Sequence, residues 1–167
     1  MKGGLGTASI SVPVGPGTSL VVAALVVVNA VGDVIDPSRG AVVAGVRSKD
    51  GKGFADARTL LRSGTAGAAK PGQNTTIGVV ATNAILTKVQ ATKVAQMAHD
   101  GVARAIYPAH TMGDGDAIFA LATGAIDGGD VSRIGALGAD VMTEAIVRAV
   151  QQATSIPGYP AARDIQK

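Results

Sequence analysis

The sequence predicts a mixed α/β or α+β fold in which layers of sheet and helix pack into a sandwich. Valine-rich apolar runs typical of strands come first in the chain, and two amphipathic helical patterns come later. The 167 residues suffice for one domain with a sizeable core. The composition is 47% hydrophobic but only 2% aromatic, so this core must consist of closely packed aliphatic and alanine side chains.

Three segments are predicted to be strands. Residues 19–28 form a continuous apolar run with too many valines to favour a helix, and we expect a strand that is buried on both faces. Residues 76–82 and 117–123 are the second and third predicted strands. The glycine-rich opening, MKGGLGTAS, carries no prediction of a regular element.

Two long helices are predicted from caps and apolar spacing. The first begins at Thr87, because Thr87 and Gln90 have the spacing of a capping box, and Pro108 ends it. Ser132 is predicted to cap the second helix. The apolar stripes of these helices consist of Val94, Ala98, Val102, Ala105 and Ile106 in the first, and of Ile134, Leu137, Val141, Ala145 and Ala149 in the second.

The connecting segments are less regular. Residues 32–53 contain turn signals at Asp36-Pro37 and Asp50-Gly51, with a short apolar piece at residues 41–46. The glycines and proline of residues 58–72 predict a mobile connection, and the tail after Ser155 is expected to be loose.

Composition excludes several classes of function. The net charge of +3 is dispersed rather than clustered with aromatic residues, which argues against a nucleic-acid surface. Polar residues follow the apolar run at residues 20–28 too soon for a membrane span, and no signal peptide is evident, so we expect a cytoplasmic protein. The sequence lacks the glycine spacing of a phosphate-binding or dinucleotide-binding motif, so no cofactor is predicted. The low charged fraction of 16% indicates that another chain covers part of the surface.

The segment KPGQNTTIGVVATNA, residues 70–84, places Thr75 and Thr76 between a glycine-rich loop and an apolar run. A turn followed by a strand is one interpretation. The other is that the chain cleaves its own Asn74–Thr75 bond, because a threonine with a free α-amine carries its own general base. The residues alone leave both interpretations open.

The segment HTMGDGDAIFA, residues 110–120, holds two carboxylates on either side of one glycine at the start of a strand. Alternating positions would put Asp114 and Asp116 on one face, where they could orient an amine or share a proton. A turn with solvated aspartates is the simpler alternative. A calcium loop is less well supported, because no glutamate closes it, and no metal site is predicted.

Three further polar residues are candidates for support. Asn29 ends the most apolar run, where its amide could donate to an oxyanion or cap the strand. His99 and His110 lack metal-ligand spacing to each other, and His99 is expected on the surface of a helix. His110 lies near the aspartate pair in sequence and could support it.

The chain resembles the L-aminopeptidase/D-esterase family, the self-processing N-terminal-nucleophile peptidases that include β-aminopeptidases and nylon-oligomer endo-hydrolases. The resemblance rests on GQNTTIGVVATNA, ATKVAQMAHDGVARAIYPAHT and DGDAIFALAT in that order, with MKGGLGTAS and ALVVVNAVGDVID before them. It covers nearly the whole chain. Precursors of the family are longer, so the resemblance implies an incomplete copy of an αββα-type sandwich, matching its carboxyl-terminal half.

The resemblance also implies a site. Cleavage between Asn74 and Thr75 would divide a single domain, residues 1–167, into an end of the α chain, residues 1–74, and a β chain, residues 75–167. Thr75 would be the nucleophile and Asn29 the oxyanion donor, with Asp114 and Asp116 orienting the nucleophile and its amine. Two aspartates at these positions resemble the nylon-oligomer branch, and Lys2 is not equated with the assisting lysine of the family.

The implied function is hydrolysis of small peptides or amides, without a cofactor, in a homo-oligomer or paired with a missing N-terminal half. Two alternatives remain at this point. An acyltransferase of the ornithine acetyltransferase kind would share the self-cleaving threonine but transfer the acyl group to an amine. A non-catalytic fragment would only support assembly.

Overall fold

A computed structural model describes residues 1–67, 74–127 and 129–165 of the chain. Within these residues the strands are β1 Leu5–Gly15, β2 Thr18–Val27, β3 Asp33–Asp36, β4 Ala41–Ala44, β5 Ile77–Ala84, β6 Ile106–Tyr107 and β7 Ala117–Ile126. The helices are α1 Ala57–Arg62, α2 Lys88–Ala105, α3 Val131–Gln152 and α4 Ala162–Ile165. The predicted mixture of sheet and helix layers is confirmed.

The strands form two sheets. The larger has the order β1-β2-β5-β7, in which β1, β2 and β5 are antiparallel neighbours and β5 and β7 are parallel. Helix α2 makes the crossover that this parallel pair needs. The smaller sheet has the order β4-β3-β6 and is antiparallel. Because β5 and β7 are parallel neighbours, the loops that precede them meet at the end of the sheet where both strands begin.

The core lies between one face of the larger sheet and helices α2 and α3. Every second residue of β2 points into it, so Leu20, Val22 and Val26 are fully buried. Glycine permits the close packing that the composition predicts. A Cβ on Gly6 of β1 would lie 2.0 Å from the Ala145 carbonyl oxygen of α3, and thus no side chain fits there.

The opposite face of the larger sheet is apolar and bare. Leu25 of β2 is 45% exposed and Phe119 of β7 is 59% exposed, and both are in register with Val79 of β5. The prediction that residues 19–28 are buried on both faces is therefore wrong for this chain. Large apolar side chains exposed on this face are those of Leu5, Val21, Leu25, Val27, Ile77, Phe119 and Leu121.

The predicted strands and long helices are present, with corrections at their ends. The Thr87 capping box is formed as predicted. Helix α2 ends at Ala105, before Pro108, because the chain joins the smaller sheet as β6. The prediction that Ser132 caps α3 is wrong, since the Asp130 carboxylate accepts the Ser132 N–H and is the N-cap.

Two segments that the sequence presented as irregular are structured. Residues 57–62 form α1, so the predicted mobile connection begins with a helix, and its residues 68–73 lie outside the described ranges. The tail after Ser155 is not loose. Ala161 and Ala162 are buried, and the Pro160 carbonyl accepts the backbone N–H of Lys2. No helix among the described residues is long and apolar enough to cross a membrane.

Candidate active site

Thr75 lies immediately before β5, where the chain passes the end of β2. Its backbone N–H donates to the Asn29 carbonyl oxygen at 2.8 Å, and its hydroxyl donates to the Asn74 carbonyl oxygen at 2.7 Å. Residue Thr75 is half-buried. The hydroxyl is thus adjacent to the Asn74–Thr75 peptide group, for which the sequence left self-cleavage open as one of two interpretations.

The loop before β7 forms the other wall of this position. The Gly115 N–H donates to the Asn74 carbonyl oxygen at 3.1 Å, beside a parallel bridge between Asn74 and Asp114. A Cβ on Gly115 would lie 2.8 Å from the Thr75 hydroxyl oxygen. Only glycine therefore lets this backbone approach the hydroxyl so closely.

Asp116 is held between a backbone amide and a ring. Its Oδ1 accepts the Thr76 N–H at 2.8 Å, and its Oδ2 lies 3.1 Å from Nδ1 of His110. The Asp116 side chain is only 5% exposed. A carboxylate with so little access to water requires these donors, and they fix it beside the peptide that follows Thr75.

The Asp114 carboxylate has different partners. Its Oδ2 accepts the backbone N–H of Thr111 at 2.9 Å and the hydroxyl of Thr111 at 2.8 Å. These bonds close the turn that precedes β7. The structure thus brings Asp116 to the Thr75 segment by its side chain, whereas Asp114 reaches that segment through its backbone bridge to Asn74.

Asn29 lines two adjoining cavities, of about 200 and 450 Å³. Lys2 lines both cavities as well, and its ammonium group donates to the Gly3 carbonyl oxygen at 2.9 Å. Thr75 is not among the lining residues and is connected to Asn29 through the backbone bond. The sequence did not identify Lys2 as a site residue. Lys2 lies beside Asn29 because the residues just before β1 pack against Val28.

The two histidines are in contact. Nδ1 of His99 on α2 lies 3.3 Å from Nε2 of His110, with the ring planes at 65°. Burial lowers the pKa of His99 below its ordinary value, and the adjacent His110 lowers it further. Their separation in sequence gave no signal of this contact, which arises because β6 turns the chain back past the end of α2.

Among the described residues, no group of three or more His, Cys, Asp or Glu side chains is placed to hold a metal ion. What the site does assemble is a threonine hydroxyl against a peptide carbonyl, a backbone donor to that carbonyl, and a buried carboxylate nearby. These are the groups that acyl transfer through a hydroxyl nucleophile requires.

A family model described as Peptidase family S58 matches residues 1–163. The chain belongs to peptidase family S58. It is 38% identical to an uncharacterised aminopeptidase of Mycobacterium leprae (strain TN), over 96% of this chain and 47% of that protein. It is 31% identical to a 6-aminohexanoate-oligomer endohydrolase of Kocuria sp. (strain KY2), over 47% of this chain and 25% of that protein.

The fold of this S58 chain matches a solved structure. The L-aminopeptidase D-Ala-esterase/amidase of Ochrobactrum anthropi, described as a variant of the Ntn hydrolase fold, superposes with a TM-score of 0.65 at 24% identity. The match covers 95% of this chain and 43% of that one. The resemblance to the L-aminopeptidase family is confirmed, and so is the sandwich of the N-terminal-nucleophile kind, of which this chain matches a part.

The S58 chain spans about half the length of the relatives that it matches across its whole extent. The relatives described above are peptidases or amide hydrolases. The comparisons therefore support a peptidase or amidohydrolase function and give no support to the acyltransferase or to the non-catalytic fragment.

Proposed function

We propose that this chain is the catalytic part of a self-processing hydrolase, which cleaves its Asn74–Thr75 bond and then uses Thr75 to hydrolyse small peptides or amides. The observation that carries this proposal is the Thr75 hydroxyl, hydrogen-bonded at 2.7 Å to the carbonyl oxygen of the bond to be cut. Family membership supports the hydrolase class.

Self-cleavage follows from the groups around that carbonyl. The Thr75 oxygen attacks the Asn74 carbonyl carbon, and the Gly115 N–H stabilises the negative charge that develops on the carbonyl oxygen. The C–N bond breaks, the peptide nitrogen takes the proton that the hydroxyl gives up and becomes the α-amine of Thr75, and Asn74 is joined to the threonine oxygen as an ester. Water hydrolyses this ester and divides the single domain into residues 1–74 and 75–167.

The cleaved form has a complete nucleophile. An α-amine ordinarily titrates near pH 8, so near neutrality it can remove the hydroxyl proton of Thr75 as the hydroxyl attacks a substrate carbonyl. The amine starts beside the Asn29 carbonyl, which accepts its N–H in the uncleaved chain. The amine that leaves from the substrate takes this proton from the Thr75 α-amine, and water then hydrolyses the acyl-enzyme.

Asn29 and the two aspartates have separate roles in this proposal. The Asn29 amide donates to the substrate oxyanion, which agrees with its position on the cavities. Asp116 orients the Thr75 segment and balances the charge of its amine. Asp114 shapes the turn that positions Gly115, and Lys2 contributes a positive charge at the cavity.

The substrate and the partners belong to the proposal too. Small peptides or amides fit cavities of this size, and no cofactor is required by the reaction. We propose that the bare sheet face pairs with a second copy or with the other half of the fold. We also retain the prediction of a cytoplasmic protein.

Intact mass under denaturing conditions tests the proposal. The parent chain is expected to separate into species of residues 1–74 and 75–167, and Thr75→Ala is expected to remain whole and inactive on aminoacyl amides. Removing the threonine hydroxyl should cost about 1 kcal/mol of stability or less. A parent that stays uncut after prolonged incubation, although folded, would contradict the proposal.

Thr76→Val provides the matched control. Thr76 is fully buried, and its hydroxyl has no hydrogen-bond partner within the described ranges. Valine keeps the shape and removes this unpaired group, so the variant should be as stable as the parent or slightly more so. It should cleave at the parental rate, because the Thr76 N–H to Asp116 is a backbone bond.

A further inference from the structure

A line of four groups runs from α2 to the residue after the proposed nucleophile. Nδ1 of His99 lies 3.3 Å from Nε2 of His110, and Nδ1 of His110 lies 3.1 Å from Oδ2 of Asp116. Oδ1 of Asp116 accepts the Thr76 N–H at 2.8 Å. Within the described ranges, each oxygen of this buried carboxylate thus has one donor, and His110 is the one side chain among these donors.

The chemistry of the line fixes where the protons lie. A carboxylate only accepts hydrogen bonds, so Nδ1 of His110 must carry a proton to bond Asp116. In neutral His110 the other nitrogen, Nε2, then accepts, and Nδ1 of His99 must supply the proton between the rings. In a neutral histidine either ring nitrogen can carry the proton. Here the hydrogen-bond partners select Nδ1 in both rings.

The backbone at His110 is unusual as well. Its φ of 55° lies in the left-handed region, where residues other than glycine are uncommon and asparagine is among the better tolerated. That conformation turns the ring toward Asp116 at the end of the segment that leaves β6. The contact is therefore built into the backbone and is not a chance approach of a mobile surface ring.

We propose that His110 is a positioning residue for Asp116, with His99 as its support. This inference rests on the proposed function, because it assigns the group that keeps the Asp116 carboxylate aimed at the Thr75 segment. His110 does not touch the reacting atoms. It acts through Asp116, and Asp116 acts through the backbone at Thr76 and the amine that cleavage releases at Thr75.

Titratable groups lie on both sides of the His110 ring. Asp116 lies on one side, His99 from α2 on the other, and Asp100 adjoins His99 with a weak attraction for its proton. If both rings were doubly protonated, two N–H groups would face each other, so the hydrogen bond between the rings requires one bare ring nitrogen. Burial lowers the pKa of His99, and the adjacent His110 ring lowers it further.

The first test is independent of catalysis. Long-range proton–nitrogen spectra of the full chain, recorded where His110 is neutral, should show its proton on Nδ1. A proton on Nε2, with Nδ1 bare, would overturn the proposal. The Thr76 amide proton should lie far downfield in the parent and move upfield in His110→Gly, since the carboxylate loses the donor that orients it.

The second test compares two replacements that both tolerate a positive φ. His110→Gly keeps the backbone and removes the donor, whereas His110→Asn keeps the backbone and offers an amide N–H near the former Nδ1. We expect His110→Gly to slow self-cleavage or amide hydrolysis at least about tenfold, since it removes a hydrogen bond to a charged group. His110→Asn should recover most of that loss.

The pH profiles separate positioning from a loss of structure. Removing the donor changes the surroundings of the carboxylate, so the acid limb of the pH–rate profile should shift in His110→Gly and return toward the parent in His110→Asn. Melting temperatures are measured beside the rates. His99→Phe should show the same shift at smaller size, because His110 loses only its support.

The two proposals fail in different ways. If the parent cleaves, Thr75→Ala does not, and both His110 variants match the parent in rate and acid limb, then His110 has no positioning role although the proposed function stands. If the parent does not cleave but the His110 proton lies on Nδ1 and the Thr76 amide responds to His110→Gly, then the positioning contact stands and the proposed function fails.

Discussion

The backbone of Gly115 lies close enough to the Thr75 hydroxyl that no side chain fits between them. Gly115→Ala should therefore displace either the hydroxyl or the loop that donates to the Asn74 carbonyl. Displacement by about 1 Å is enough to slow a positioned reaction about a hundredfold, and we expect a loss of that order in the rate of self-cleavage. Time-resolved intact mass measures it.

Gly15→Ala is the matched control, because a Cβ there meets nothing within 4 Å and Gly15 lies at the far end of β1. It should cleave like the parent. Equal rates for the two alanine variants would show that the close approach at Gly115 has no role in the reaction.

The two aspartates make different bonds, and their amide replacements should differ accordingly. Asp116→Asn removes the negative charge at the Thr76 N–H, one residue from the proposed Thr75 amine, so we expect a rate loss of about a hundredfold or more and an altered acid limb of the pH–rate profile. Asp114→Asn keeps an oxygen that can accept from Thr111, and its loss should be much smaller. Profiles of both variants that overlay the parent would remove the pair from the site.

At the scale of elements, one buried carboxylate ties the smaller sheet to α1. Asp33 of β3 is fully buried and accepts the Val46 N–H at 2.8 Å and the Ala57 N–H at 2.6 Å. Burial raises the pKa of Asp33 above its ordinary value, although both backbone donors oppose this. The carboxylate therefore organises the loop between β4 and α1 at a cost in charge burial.

Asp33→Asn is expected to lower stability by about 1–3 kcal/mol, because an amide nitrogen cannot accept one of those N–H groups. A raised pKa in the folded state means that the folded protein holds a proton which the unfolded chain releases. The parent thus loses stability as pH rises from about 4 through the raised pKa, and the variant does not.

The stability gap between parent and Asp33→Asn should therefore be widest in acid and narrow toward neutral pH. Urea unfolding at a series of pH values measures the gap. A constant gap across the range would mean that Asp33 titrates alike in the folded and unfolded states, contrary to its burial.

How far each element could be predicted depends on where its stabilising contacts lie. The capping box at Thr87 involves residues three apart, so the sequence shows it directly. The cap of α3 was misplaced by two residues, because Asp130 and Ser132 are both good caps and only geometry chooses. Strand β1 was missed because its first inward positions, Gly6 and Ala8, fit under α3 but give no apolar signal. The alternation becomes apolar only from Ile10 onward.

The candidate site was predictable in the same measure. Thr75, Asn29 and Asp116 were proposed from local patterns and a resemblance, and the structure places them in one region through backbone hydrogen bonds of Thr75 and Thr76. The contact between His99 and His110 and the placement of Lys2 depend on how distant segments pack, which no local pattern records. The different partners of Asp114 and Asp116 are likewise a property of the turn, since alternation alone predicts one face for both.

At the scale of the whole molecule, the exposed apolar face of the larger sheet is consistent with the part of its relatives that the chain spans. The S58 chain spans about half of its relatives, and among the described residues its larger sheet has helices on one face only. A sandwich of four layers would place a second sheet on the other face. The apolar side chains there account for both the high hydrophobic content and the low charged fraction of the sequence.

This face is expected to drive association of the isolated chain. Leu25 and Phe119 lie in adjoining positions across β5, and burying such side chains against a second copy contributes roughly 25 cal/mol per Å² of apolar surface. We expect sedimentation velocity to show a dimer or larger species for the parent. Leu25→Lys should shift it toward monomer with little change in melting temperature, since the lysine stays in solvent.

Val89→Lys is the control, because Val89 is 79% exposed on α2, away from the sheet face. A monomeric parent, or equal dissociation by both lysines, would show that the bare face does not bind a second copy, and would leave the other half of the fold as its partner.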